Sequence, residues 1–216
     1  MGLLEAIGNL HIINVVLCAL IGVVFTLWFI PRILVVSFKK KLFDFADERK
    51  VHTGVVPRLG GVAFVPSILI SVSLMAGISS LVLPGDANVF VVPTLQMAFG
   101  LCSLILLYFE GIMDDLVGLR YRVKFVIQIL CALLIVASGI WLNDFHVLFG
   151  LAGLRPWFGV PFSVLLVVFI INAINLIDGI DGLASGLSIV SAFFFGIMFC
   201  YEGYWGFAML AFSLMG

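Results

Sequence analysis

The chain has 216 residues, of which 63% are apolar and only 11% charged, against about 25% charged in a soluble domain. A water-soluble globule of this length cannot hide so much apolar surface, which excludes a soluble enzyme, a disordered tail and a fibrous repeat; a formal net charge of −1 offers a nucleic acid no overall attraction. What remains is an all-α protein, a polytopic membrane helix bundle, because helices satisfy their own backbone in lipid and the apolar runs are far too long for barrel strands.

A span needs about 20 apolar residues at ~1.5 Å rise each. The first runs from about Ile12 to Val36, with Pro31 near its end. The second covers Val62 to Leu83 and the third Val89 to Met113. The fourth covers Phe125 to Leu142, the fifth Val160 to Ile177 and the sixth Leu187 to Tyr201. A seventh begins near Trp205 and the chain stops inside it. Residues 1–216 read as a single membrane domain without internal repeats. The first ten residues lack Lys and Arg, so no cleavable signal is expected. Cys18, Cys102, Cys131 and Cys200 each lie in an apolar run and read as small buried hydrophobes.

Charge sets the expected orientation. The segment after span one holds Lys39, Lys40, Lys41, Arg49, Lys50 and Arg58, with Arg32 just before it. The segment after span three holds Arg120, Arg122 and Lys124. These lie on one side of the membrane and account for all but Arg155 of the 11 cations. The positive-inside rule places them in the cytoplasm and the N-terminus outside. Trp141, Trp157 and Trp205 fall near the outer ends, where an aromatic belt is expected.

Three segments on the cytoplasmic side concentrate polar chemistry. The first is Asp47-Glu48-Arg49-Lys50-Val51-His52, followed by Pro57-Arg58-Leu59-Gly60-Gly61. Its two glycines permit close backbone approach to a ligand, and Lys50, His52 and Arg58 suit phosphate oxygens; a solvated anchor fits the same residues. The second is Glu110-Gly111-Ile112-Met113-Asp114-Asp115, with Lys124 beyond it. Its acids repel one another at the end of an apolar span. A divalent cation, a cationic partner or protonation would relieve that, as would a helix end standing in water. The third is Asn172-Ala173-Ile174-Asn175-Leu176-Ile177-Asp178-Gly179-Ile180-Asp181-Gly182. At about 100° per residue, Asn172, Asn175 and Asp178 share roughly a third of the helix circumference. Gly179 and Gly182 then open the helix so that Asp181 can turn back. These oxygens suit Mg²⁺ or nucleoside hydrogen bonds, although an intramembrane Asn also bonds neighbouring helices. No Gly-x-Ser-x-Gly elbow, Walker loop or Cys/His metal spacing occurs. The inventory suits phosphoryl chemistry, in which a metal and cations position groups that are themselves reactive.

The order and spacing of Arg49-Lys50-x-His52 to Pro57-Arg58-x-Gly60-Gly61, Gly111-x-x-Asp114-Asp115 with Lys124, and the Asn172 to Leu183 run resemble the polyprenyl-phosphate N-acetylhexosamine-1-phosphate transferases, glycosyltransferase family 4. The resemblance covers about residues 40 to 190. It implies that a lipid phosphate, typically undecaprenyl phosphate, attacks the β-phosphorus of a UDP-N-acetylhexosamine, with Mg²⁺ (or Mn²⁺) on the diphosphate and UMP leaving. It implies catalytic roles for Asp114, Asp115 and Lys124, metal contacts for Asn175 and Asp115, and substrate contacts for Arg49, Lys50, His52, Arg58, Asn172, Asp178 and Asp181. The Arg49-Lys50-x-His52 form is more similar to the UDP-N-acetylglucosamine branch than to the muramoyl-pentapeptide branch. The implied location is a bacterial inner membrane with the site on the cytoplasmic face, and the implied partners are the lipid, the UDP-sugar and a second copy in a homodimer. The family continues with further helices, a Gly-Asp-x-Gly-Ser-type metal aspartate and an Arg/His-rich segment, none of which precedes Gly216. The expectation is therefore an N-terminal portion of a longer transferase, binding the UDP-sugar weakly and inactive alone. An intramembrane prenyltransferase would want Asn-Asp-x-x-Asp repeats, and a cation-coupled transporter would place its acids near the midplane on broken helices; neither pattern is present.

Overall fold

The computed structural model describes residues 2–40, 42–44, 56–57, 59–82, 94–144, 153–178, 180 and 182–216. Among these, seven helices carry the chain: α1 Gly2–Lys40, α2 Phe64–Val82, α3 Thr94–Val117, α4 Tyr121–Ala137, α5 Pro156–Ile177, α6 Leu183–Tyr201 and α7 Trp205–Met215. Two two-residue strands, β1 Phe43–Asp44 and β2 Val56–Pro57, pair antiparallel, and a 3-10 turn at Gly60–Ala63 leads into α2. Five of the helices are long and apolar enough to cross a membrane. The protein is a polytopic membrane helix bundle.

Helix boundaries differ from the hydropathy limits for identifiable reasons. α1 extends at both ends of the Ile12–Val36 run and continues nine residues past Pro31; hydropathy marks the lipid-compatible stretch, not where backbone bonding stops. Among the described residues α3 begins at Thr94, next in sequence to Pro93, and runs on through Asp114 and Asp115. Proline disfavours a helical residue before it. α4 starts at Tyr121 and ends before Gly139, whose φ is +92°. α5 starts with Pro156 at its first position, where a missing N–H costs nothing. α5 ends at Ile177, and α6 starts at Leu183, directly after Gly182 with φ +73°; Gly179 and Asp181 lie outside the described residues.

The chain forms two compact units, residues 1–91 with 180–216, and residues 92–179. In the first, Val15, Cys18, Ile68, Val72, Met75, Ala208 and Met209 make a buried core between α1, α2 and α7. A polar seam runs through it. Asn14 Nδ2 donates to Ser79 Oγ at 2.8 Å, Ser71 and Ser213 hydroxyls meet at 2.5 Å, and Ser67 Oγ donates to the Gly22 carbonyl at 3.3 Å. Lipid tails provide no hydrophobic drive for helix association, so small residues and interhelical hydrogen bonds carry it, at roughly 0.6–2 kcal/mol per bond. His11 is buried against the Trp205 ring, with centroids 5.0 Å apart. Cys18 and Cys131 are buried as expected, whereas Cys102 is exposed on α3.

In the second unit, α4 packs against both α3 and α5. α3 and α4 are joined by the short turn 118–120, which makes them antiparallel neighbours. The exit of α4 is fixed to the start of α5: Leu142 N–H donates to Ser163 Oγ at 2.8 Å. Gly159 permits that approach, since a Cβ there would stand 2.6 Å from the Leu142 carbonyl oxygen and 2.6 Å from the Trp141 ring.

Candidate functional site

The second unit brings two of the sequence-selected residues into direct contact. Lys124, in the first turn of α4, places Nζ 2.5 Å from Asp114 Oδ2. Asp114, in the last turn of α3, also accepts the Leu119 N–H on Oδ1 at 3.0 Å. Its own carbonyl accepts the Gly118 N–H at 2.9 Å. Both carboxylate oxygens are thus engaged, one by charge and one by the turn that reverses the chain. The local sequence makes this pairing favourable. An acid at a helix C-terminus and a cation at a helix N-terminus each oppose the macrodipole by about 0.3–1 kcal/mol. Joining them across the turn offsets both penalties. The side chains keep 22% and 33% exposure, so the pair itself contributes on the order of 1 kcal/mol and its value lies in geometry.

Asp115 follows on the same turn and is half-buried, as is Glu110 one turn earlier. A Cβ at Gly111 would meet nothing within 4 Å, so no packing among the described residues demands glycine there.

The amide stripe sits on α5. Asn172 is half-buried, and its Nδ2 donates to Gln128 Oε1 of α4 at 2.6 Å and to the Val168 carbonyl at 2.8 Å. An Asn amide nitrogen has two protons, and both are committed within the protein. The helix-bonding behaviour of an intramembrane amide is therefore realised at Asn172. Asn175 is exposed in the last turn of α5, and Asp178 is exposed as its C-cap, with its N–H on the Ile174 carbonyl at 3.1 Å.

Helix arithmetic relates these groups. From Gln128 back to Lys124 is about 6 Å, and from Asn172 on to Asn175 and Asp178 about 4.5 Å and 9 Å, both toward the same end of the antiparallel α4–α5 pair. The acid–lysine pair and the amide–carboxylate stripe share one end of a three-helix frame. Gln128 is the residue that pattern reading missed. A lone glutamine in an apolar span, one turn from Lys124 on the same face, was a signal available to it.

Arg49, Lys50, His52, Arg58 and Asp181 lie outside the described residues. Leu59, immediately after Arg58, has φ +76°, a conformation that costs a non-glycine residue about 1–2 kcal/mol. Next to it, a Cβ at Gly60 would meet nothing within 4 Å. Among the described residues, the backbone here combines a strained φ with open space beside Gly60.

The oxygen donors of Asp115, Asn175 and Asp178 fit a hard cation in kind. Among the described residues no three His, Cys, Asp or Glu gather closely enough to hold a metal by themselves. Mg²⁺ commonly takes one or two carboxylates and completes its shell with substrate phosphates and water, so the donor set fits a cation shared with a substrate.

Residues 97–216 match the model of glycosyl transferase family 4. The chain is 32% identical over 181 residues to a probable undecaprenyl-phosphate N-acetylglucosaminyl 1-phosphate transferase of Bacillus subtilis, covering 83% of this chain and 47% of that protein. It is 31% identical over 198 residues to the undecaprenyl-phosphate alpha-N-acetylglucosaminyl 1-phosphate transferase of Salmonella typhi, covering 88% and 48%. A phospho-N-acetylmuramoyl-pentapeptide-transferase of Listeria monocytogenes is 26% identical over 202 residues, covering 87% and 58%. The chain spans about half the length of the curated relatives it matches.

Proposed function

The chain belongs to glycosyl transferase family 4, and on that premise we propose that it transfers N-acetylglucosamine 1-phosphate from UDP-N-acetylglucosamine to undecaprenyl phosphate, starting a lipid-linked envelope glycan. An oxygen of the lipid phosphate bonds to the β-phosphorus, the bond from that phosphorus to the bridging oxygen breaks, and UMP leaves. The observation that carries the reading is the shared end of the α3–α4–α5 frame, where Lys124 is held on Asp114 and Asn175 and Asp178 follow within two turns of a fixed amide. The higher identity to relatives named for N-acetylglucosaminyl transfer than to the muramoyl-pentapeptide transferase supports the choice of sugar.

In this reading Asp115 lies nearest the lipid phosphate and Lys124 neutralises charge that grows on the transferring phosphate. Asp178 and Asp181 receive nucleoside hydrogen-bond donors, and Arg49, Lys50, His52 and Arg58 hold phosphate oxygens, the last five on sequence pattern alone. Mg²⁺, with Mn²⁺ as a substitute, would be held by Asp115 and Asn175 and supplies charge neutralisation of the diphosphate when bound. The site belongs to the cytoplasmic face of a bacterial inner membrane.

The test is UMP release and lipid-linked product formed in lipid nanodiscs, with undecaprenyl phosphate and Mg²⁺, by the transferase that carries residues 1–216, taken at its full natural length. UDP-N-acetylglucosamine, UDP-N-acetylgalactosamine and UDP-N-acetylmuramoyl-pentapeptide serve as donors. Transfer from the first alone is the expected result. Transfer only from the third would move the protein to the other branch, and release of UMP from none of them counts against the reading.

A further inference from the structure

We infer that Gln128, which belongs to none of the three motifs, is a positioning residue that sets where Asn175 and Asp178 stand by holding Asn172. The inference rests on the reading that the last turn of α5 serves the substrate.

Gln128 is 2% exposed in the otherwise apolar stretch of α4 from Phe125 to Ala137. A buried amide without a partner costs about 1–3 kcal/mol, and this one is matched to a second amide on the neighbouring helix at 2.6 Å. Its surroundings on α4 follow the same rule. Lys124 one turn before it reaches Asp114 of α3. Cys131 one turn after it exchanges contacts with Ser103 of α3, Ser103 Oγ donating to the Cys131 carbonyl at 3.2 Å. Positions 124, 128 and 131 thus form one helical stripe whose members bond α3, α5 and α3 in turn.

Gln128 is the member that fixes α5 near the site. A second polar anchor of α5, Ser163 on the Leu142 N–H, stands nine residues from Asn172, about 13.5 Å away along the helix. One anchor at that distance leaves the far end free to turn. A rotation of α5 by about 20° would carry side-chain tips at a ~6 Å radius through about 2 Å. Displacements of about 1 Å can cost on the order of 100-fold in rate. Asn175 lies three residues past Asn172 and Asp178 six, so both inherit the angle that the Gln128 bond sets.

A bond kept only for stability would be dispensable as a pair, because replacing both partners by apolar groups of similar shape can be nearly neutral. Register is what the pair adds. That difference makes the role measurable. The protein in lipid nanodiscs is compared with Gln128→Leu, Gln128→Leu/Asn172→Leu and the exchanged pair Gln128→Asn/Asn172→Gln. The readouts are hydrogen exchange at residues 173–178 and 111–118, and binding of UDP-N-acetylglucosamine with Mg²⁺. Both Leu variants should speed exchange at 173–178 by roughly tenfold and leave 111–118 unchanged. They should weaken nucleotide binding by roughly tenfold, and the exchanged pair should restore both readouts. Unchanged exchange in the Leu variants overturns the inference, as does an equal rise in both segments or a rise at 173–178 with unaltered affinity. Should the unsubstituted protein bind no UDP-sugar, the proposed function fails, and the exchange measurement alone decides for or against Gln128.

Discussion

Lys124 Nζ stands 2.5 Å from Asp114 Oδ2, while Oδ1 of the same carboxylate takes the Leu119 N–H. One acid of the Asp114–Asp115 doublet therefore closes the α3–α4 turn and aims a lysine. Two neighbouring carboxylates would otherwise repel; giving one of them a cation and a backbone donor lets both sit at a helix end.

Asp114→Asn should keep an acceptor for Leu119 and lose the charge that holds Lys124. Transfer activity should fall about 100-fold, with little loss of stability. Lys124→Met should cost a similar factor, and the double variant little more than either single, because the two act as one unit. UMP release across this four-member cycle is the measurement. Additive losses would separate the two residues.

In the transferase at its full natural length, Asp115→Asn should abolish UMP release, whereas Asp86→Asn should leave it nearly unchanged. The first removes an acid proposed at the reacting phosphates, a contribution of several kcal/mol in such sites. The second alters an acid expected in a loop on the opposite side. Equal activities would leave Asp115 without a catalytic role.

The orientation follows from charge and is open to direct measurement. Val55→Cys should resist a membrane-impermeant maleimide applied to intact cells and react once the membrane is opened. Ready labelling from outside would invert the assignment. Because Cys102 is itself exposed on α3, the comparison is made against the protein without the Val55 substitution.

Much of this architecture is legible in the sequence for physical reasons. Apolar runs of span length announce membrane helices, and Gly182 announces the start of α6 because positive φ there favours glycine. The Asn172–Asn175–Asp178 stripe is legible from helical period alone. Gln128 is not, because its meaning depends on which helix lies opposite, and period along one helix cannot say that. For the same reason Asn172 reads as a ligand contact from its neighbours in the motif, while its amide protons are spent on Gln128 and Val168. The pairing of Lys124 with Asp114 lies between these cases: opposite charges ten residues apart suggest it, and only the three-residue turn between α3 and α4 makes it reachable.

Two glycines of the second unit separate packing from function. At Gly159 a Cβ would stand 2.6 Å from both the Leu142 carbonyl oxygen and the Trp141 ring. Gly159→Ala should push the exit of α4 off α5 and lower stability by about 1–3 kcal/mol, the usual cost of overpacking. At Gly111 the same Cβ meets nothing within 4 Å, so Gly111→Ala should unfold at the temperature of the unsubstituted protein or slightly above it, since alanine favours a helix by about 1 kcal/mol over glycine. Gly111 nevertheless opens the Gly111-x-x-Asp114-Asp115 motif. If the space beside it is where a substrate phosphate or lipid approaches, Gly111→Ala should lower transfer activity without lowering thermal stability, and Gly159→Ala should lower both together. Thermal unfolding in nanodiscs alongside UMP release resolves the two. Full activity in Gly111→Ala would mean that the open space at that position takes no part in the reaction.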